Sequence, residues 1–173
     1  MEFYDTMINE GEWSVMFREM RRKKQQLTEA ECIEILKNEP RGVVSMIGDD
    51  GYPYGIPMSH WYSEESGKIY FHGGRRGHKV DALRRCDKVS FCVYDKGYRR
   101  EGEWALNIKC VLIFGRMRIV EDSDEIADIA KSLSLKFTND IDYIEEEIRT
   151  HIKGAYCFEL TPEHITGKLV NES

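Results

Sequence analysis

Lys68-Ile69-Tyr70-Phe71-His72-Gly73-Gly74-Arg75-Arg76-Gly77-His78-Lys79-Val80-Asp81-Ala82-Leu83 changes its structural period halfway along. The first five residues are β-branched and aromatic enough to read as a strand. Gly73 and Gly74 break that strand, and 77–86 follow as a short helix with Val80, Leu83 and Ala82 turned inward. A strand end, two glycines and a basic helix start make a plausible anion cradle. Helix N-termini offer free N–H groups and a partial positive charge, worth roughly 0.3–1 kcal/mol toward an anion at exposed sites. Arg75, Arg76 and Lys79 add charge that can grip a phosphate. On residues alone, the same run also reads as a solvated basic turn with flexible glycines.

Upstream of this stretch, Thr28 and Glu31 form a capping box, Cys32, Ile35 and Leu36 follow at helical spacing, and Pro40 stops the helix. Residues 41–48 read as a strand, Asp49-Asp50-Gly51 as a turn and 52–62 as a second strand partly demoted by Pro53 and Pro57. Residues 63–67 turn the chain into the strand at 68–72. Downstream, 89–94 predicts a strand, 95–103 a polar loop and 104–120 a long strand or strand pair. Residues 122–137 and 141–152 predict helices, 155–160 a closing strand and 165–170 a further one. Adjacent meanders interrupted late by helices indicate an α+β class, mainly antiparallel β: a barrel with peripheral helices. Residues 1–26 read as an N-terminal arm, its basic run either a solvated face or an arm packing on a partner subunit, and 27–173 as a single domain.

The 173 residues suffice for one buried core, and a net charge of −6 argues against nucleic acid or an anionic membrane as partner. No apolar run reaches transmembrane length, and the acidic, aromatic N-terminus lacks the pattern of a signal peptide. The five scattered cysteines contain no C-x-x-C pair and read as reduced thiols, mostly in the core, in a cytoplasmic protein. They suggest no metal site. Neither nucleotide fingerprint, G-x-G-x-x-G nor G-x-x-x-x-G-K-S/T, is present.

Four ordered blocks carry a family resemblance: Gly51-Tyr52-Pro53-Tyr54-Gly55-Ile56-Pro57, Lys68-Ile69-Tyr70-Phe71-His72, Gly77-His78-Lys79-Val80-Asp81-Ala82-Leu83 and Val89-Ser90-Phe91-Cys92-Val93. Together they resemble the FMN-binding split β-barrels related to pyridoxamine 5'-phosphate oxidase, especially the 5-nitroimidazole resistance branch. Met16-Phe17-Arg18-Glu19-Met20-Arg21-Arg22-Lys23 is similar to that branch too. The resemblance implies a homodimer with FMN in a groove between subunits, a small-molecule substrate such as a nitroaromatic and a reduced nicotinamide, NAD(P)H, as donor. It implies that Pro57, Met58 and Ser59 line the flavin ring, that Phe71, His72 and Gly73 approach the ring and ribityl chain, and that Gly77, His78 and Lys79 hold the phosphate. The family often has Ser or Thr where Gly73 stands, so a side-chain contact is lost there or taken over by backbone.

His72 is the candidate catalytic residue, orienting substrate or stabilising charge on reduced flavin, with a structural histidine as the competing reading. His60 reads as a barrel-surface histidine or a second groove residue, and Trp61 and Trp104 as core or interface packing. The loop 98–103 is placed to reach a partner's FMN. Two other functions stay open. One is pyridoxamine-phosphate oxidation proper, disfavoured because His164-Ile165-Thr166-Gly167-Lys168 offers no basic pair. The other is a non-catalytic flavin or haem binder.

Overall fold

A computed structural model describes residues 17–171. Six antiparallel strands close into a ring in the order β1-β2-β3-β6-β5-β4. They are β1 (Arg41–Ile47), β2 (Pro53–Tyr62), β3 (Ile69–Gly74), β4 (Lys88–Tyr94), β5 (Asn107–Val120) and β6 (Ala155–Asn171). Alternation along each strand fills the ring: Val44, Met46, Ile69, Phe71, Phe91, Val93, Ile113 and Phe158 are buried inside it. Burying each such side chain is worth about 1.5–3 kcal/mol, which makes this interior the main source of stability.

The helices cover what the ring leaves open. Helix α1 (Glu29–Asn38) starts at the expected capping box, with Glu31 N–H donating to Thr28 Oγ1 at 3.3 Å and Thr28 N–H donating to Glu31 at 2.9 Å. The Thr28 N–H, then Lys109 and the Thr28 hydroxyl, all donating to the Glu31 carboxylate, hold that carboxyl down at about 2. Helix α2 (His78–Arg85) joins β3 to β4 and buries Val80, Ala82 and Leu83. Helices α3 (Ser123–Leu135) and α4 (Ile141–His151) form a hairpin inserted between β5 and β6; α3 contacts the outside of β2, β3 and β6. Asp122 and Asp140 cap them through their side chains.

Three expectations about strand limits change. Gly73 and Gly74 do not break β3, because they pair with Tyr156 and Ala155 of β6. The two closing strands are one, 155–171, bent where the β5–β6 register shifts between Phe114 and Gly115. An extra β6 residue at that bulge accommodates Pro162 in the ladder. The long strand begins at Asn107 rather than Trp104, which is left 74% exposed.

Residues 1–16 of the expected arm, including Met16 of the family-like block, lie outside the described residues. Phe17 stacks on His164 (4.7 Å) and Phe114 (5.6 Å) of the chain's own barrel. All five cysteines are free. Cys32 and Cys157 are buried, whereas Cys86, Cys92 and Cys110 are only partly so. Among the described residues no helix is long and apolar enough to cross a membrane.

Candidate functional site

Strand β3 presents the two halves of the basic stretch on opposite sides. Phe71 is fully buried in the ring, and Gly73, two residues on, faces the same way. A Cβ at Gly73 would collide with the Lys79 ammonium and lie 3.3 Å from Phe158. The glycine therefore makes room for Lys79 to lie across the strand. Its Nζ stands 4.6 Å from the Phe158 ring centroid. Among the described residues Lys79 has no carboxylate partner, and burial lowers its pKa. A half-buried ammonium without a counter-charge is costly unless something anionic joins it.

The start of α2 adds to this. Gly77 is its N-cap at φ 112°, a left-handed-side backbone that an L side chain rarely adopts. Having no side chain, it leaves the first turn uncapped. The His78 ring points elsewhere: it stacks on Tyr54 at 4.0 Å, and its Nε2 accepts the Asp49 N–H at 3.3 Å. Arg85 also bonds Asp49, at 2.7 Å, so His78 and Arg85 both fasten α2 to the β1–β2 turn. Arg75 is likewise engaged, on the Lys153 carbonyl and over the Tyr156 ring. Of the cations in the stretch, only Arg76 and Lys79 lack a hydrogen-bonding or anionic partner among the described residues, Lys79 resting on the Phe158 ring alone.

His72 lies on the outer side of β3, opposite Phe71 as the strand phase requires. There a groove runs between the barrel and the α3–α4 hairpin. It consists of two cavities, about 230 and 300 Å³, whose walls share His72, Leu133, Ser134 and Glu147. Ser59 lines the second cavity, with Arg41 Nε donating to its Oγ at 3.2 Å. His72 has no hydrogen-bond partner among the described residues. Burial, and then the nearby Lys79 charge, hold its pKa below the ordinary histidine value.

The other expected residues scatter. Met58 and Phe71 point into the core, so only their main chain is available to a ligand. Pro57 is exposed and lines a separate hollow with Arg41 and Tyr94. His60 is neither surface nor groove: it is fully buried, edge-on to Phe91 at 4.9 Å, and pairs with the Leu36 carbonyl at 2.8 Å. Trp61 stacks on Tyr70 at 5.2 Å. The pattern of the sequence did not single out Ser134, Glu147 or Tyr143. The amphipathicity of the two helices announces an apolar face, but not which barrel strand it covers.

The chain matches the family model described as pyridoxamine 5'-phosphate oxidase over residues 28–169. A search of curated proteins by sequence returns no significant match. Among solved structures it is similar to a conserved hypothetical protein of Mycobacterium tuberculosis, with a TM-score of 0.70 or above: 0.74 at 19% identity over 87% of this chain and 90% of that one. A candidate 5-nitroimidazole antibiotic resistance protein of Bacteroides thetaiotaomicron gives a TM-score of 0.70 at 18% identity, covering 84% of this chain and 87% of that one. An FAD-binding protein of Mesorhizobium loti gives 0.63 at 24% identity over 84% and 97%. These likenesses establish the split-barrel fold. With the family match spanning most of its length, the chain belongs to the pyridoxamine 5'-phosphate oxidase family.

Proposed function

We propose that the protein is a homodimeric flavoprotein that binds FMN and reduces a small electrophile, such as a nitroaromatic, with electrons from a reduced nicotinamide. The observation that carries this reading is Lys79, a half-buried ammonium lying over Gly73 beside the uncapped start of α2, with no anionic partner among the described residues. The FMN phosphate supplies the missing charge. Lys79 binds it through its side chain, and Gly77 and His78 through main-chain N–H groups. At the place where the resemblance implies a frequent Ser or Thr, Gly73 leaves room for the lysine that crosses it.

Ser59 and His72 line one groove and face the ring there, while Pro57, Met58 and Phe71 contribute shape and main chain. Bound flavin supplies the electron chemistry; the chain's own groups position it and exclude water. His72, uncharged near neutrality and unpartnered, orients the substrate. Pyridoxamine-phosphate oxidation is the weaker reading, because His164 is stacked against Phe17 and leaves Lys168 without a basic companion for a substrate phosphate.

The visible spectrum of the purified protein tests this. Flavin bands are expected, with FMN rather than FAD released on denaturation. A Soret band, or a colourless protein that FMN cannot reconstitute, overturns the reading. NADH-dependent reduction of a nitroimidazole, set against oxidation of pyridoxamine phosphate, then separates the two reactions.

A further inference from the structure

We propose that the groove under the α3–α4 hairpin binds a small, flat, unphosphorylated molecule whose charged or N–H-bearing nitrogen sits against Glu147. As a statement of substrate class this rests on the flavin reading above; as a binding site it is defined without the cofactor. The inner cavity, about 230 Å³, suits a single substituted ring beside a flavin ring facing the outer one. It is walled by Ile126, Leu133 and Ile148, which favour an aromatic face.

Charge decides the class. The acids beside Glu147 on α4 are already matched: Glu145 by Lys131 at 3.0 Å, and Glu146 by Arg149. Glu147 faces only His151, 3.7 Å away, a pairing that counts when the imidazole is protonated. It is therefore the carboxylate of this helix face left for a ligand, and it lines both cavities. Ser134 and the unpartnered His72 add neutral hydrogen-bonding groups on the shared wall. The cation of the groove, Arg41, stands in the outer cavity and is bonded to Ser59. The inner cavity is lined by the Glu147 carboxylate and the imidazoles of His72 and His151, with no Lys or Arg among its lining residues, so a phosphorylated substrate is disfavoured there.

Benzamidine and benzoate, equal in size and opposite in charge, are the probes. Calorimetric titration of the protein as purified is expected to detect benzamidine binding and no benzoate binding. Glu147→Gln, on an exposed helix face, is expected to weaken benzamidine about tenfold, the scale of one charge-assisted hydrogen bond. Leu133→Trp, which fills the shared wall, is expected to abolish it. Benzoate binding as tightly as benzamidine, or benzamidine indifferent to Glu147→Gln, overturns the proposal. Repeating the titration on flavin-free protein reads the groove alone, so a failure of the cofactor reading appears in the spectrum and a failure of this one in the titration.

Discussion

Two lysine–histidine neighbourhoods in this barrel share their chemistry and differ in how they are completed. In the first, Lys136 donates to the carbonyls of Leu36 (3.2 Å) and Glu39 (2.6 Å), and its Nζ lies 3.5 Å from His60 Nε2. It closes the C-terminal end of α1 from outside the helix, and burial lowers its pKa to about 8. His60, buried inside the ring, is pushed down to about 3, by burial first and by Lys136 second. In the second, His72 and Lys79 are shifted in the same direction, again with burial first, yet neither has a hydrogen-bonding partner among the described residues. A desolvated cation that the fold completes is architecture. One that the fold leaves incomplete is a place for a ligand.

The largest expected effect tests the architectural side. His60→Ala removes a fully buried ring and the bond to Leu36, so we expect a loss of about 3 kcal/mol in urea unfolding. A variant of near wild-type stability would show that the ring is not part of the packed core. The pH response comes next. Between 6.5 and about 3 the unfolded chain takes up a proton that buried His60 refuses, so stability is complete above 6.5 and falls as pH falls. From pH 6.5 to 5 the expected loss is about 2 kcal/mol, with His72 acting in the same direction. His60→Gln should flatten most of that slope, and an unchanged slope would assign it elsewhere.

The two lysines then give opposite readouts. Lys79→Met is expected to weaken FMN retention about tenfold without lowering the melting temperature, because it removes a charge that the fold does not pair. Unchanged FMN affinity would remove Lys79 from the phosphate site. Lys136→Met is expected to cost about 1 kcal/mol of stability and nothing in FMN affinity, since it strips a donor from two helix carbonyls. The smallest effect belongs to His72→Gln, which should change stability by less than about 0.5 kcal/mol while lowering turnover of the nitroaromatic. If it unfolds the protein instead, His72 is structural.

Most of the framework was legible because its signals are local. Thr28 and Glu31 announced α1 through a capping box that needs only three residues of separation. Asp49-Asp50-Gly51 announced the first turn, and Asp50 (φ 54°) and Gly51 (φ 76°) do take up the positive φ it requires. The opposite phases of Phe71 and His72 followed from strand alternation alone. Errors appeared where a distant segment overruled a local preference. Gly73 and Gly74 read as strand breakers, but the β6 ladder holds them extended. His60 read as a surface or groove residue because nothing near it in sequence supplies the Leu36 carbonyl that makes its burial tolerable.

The sequence by itself determined that an antiparallel barrel would carry a glycine-rich basic stretch between a strand and a helix, because alternation, capping and turn chemistry act over a few residues. Tertiary structure decided which members of that stretch remain available. Packing turned His78 onto Tyr54 and Arg75 onto Tyr156, and it drew Lys79 across Gly73. It also brought Glu147, some 75 positions downstream, into one groove with His72. Which charges find partners depends on contacts between segments far apart in the chain. In this barrel that accounting left Lys79 without an anionic partner among the described residues.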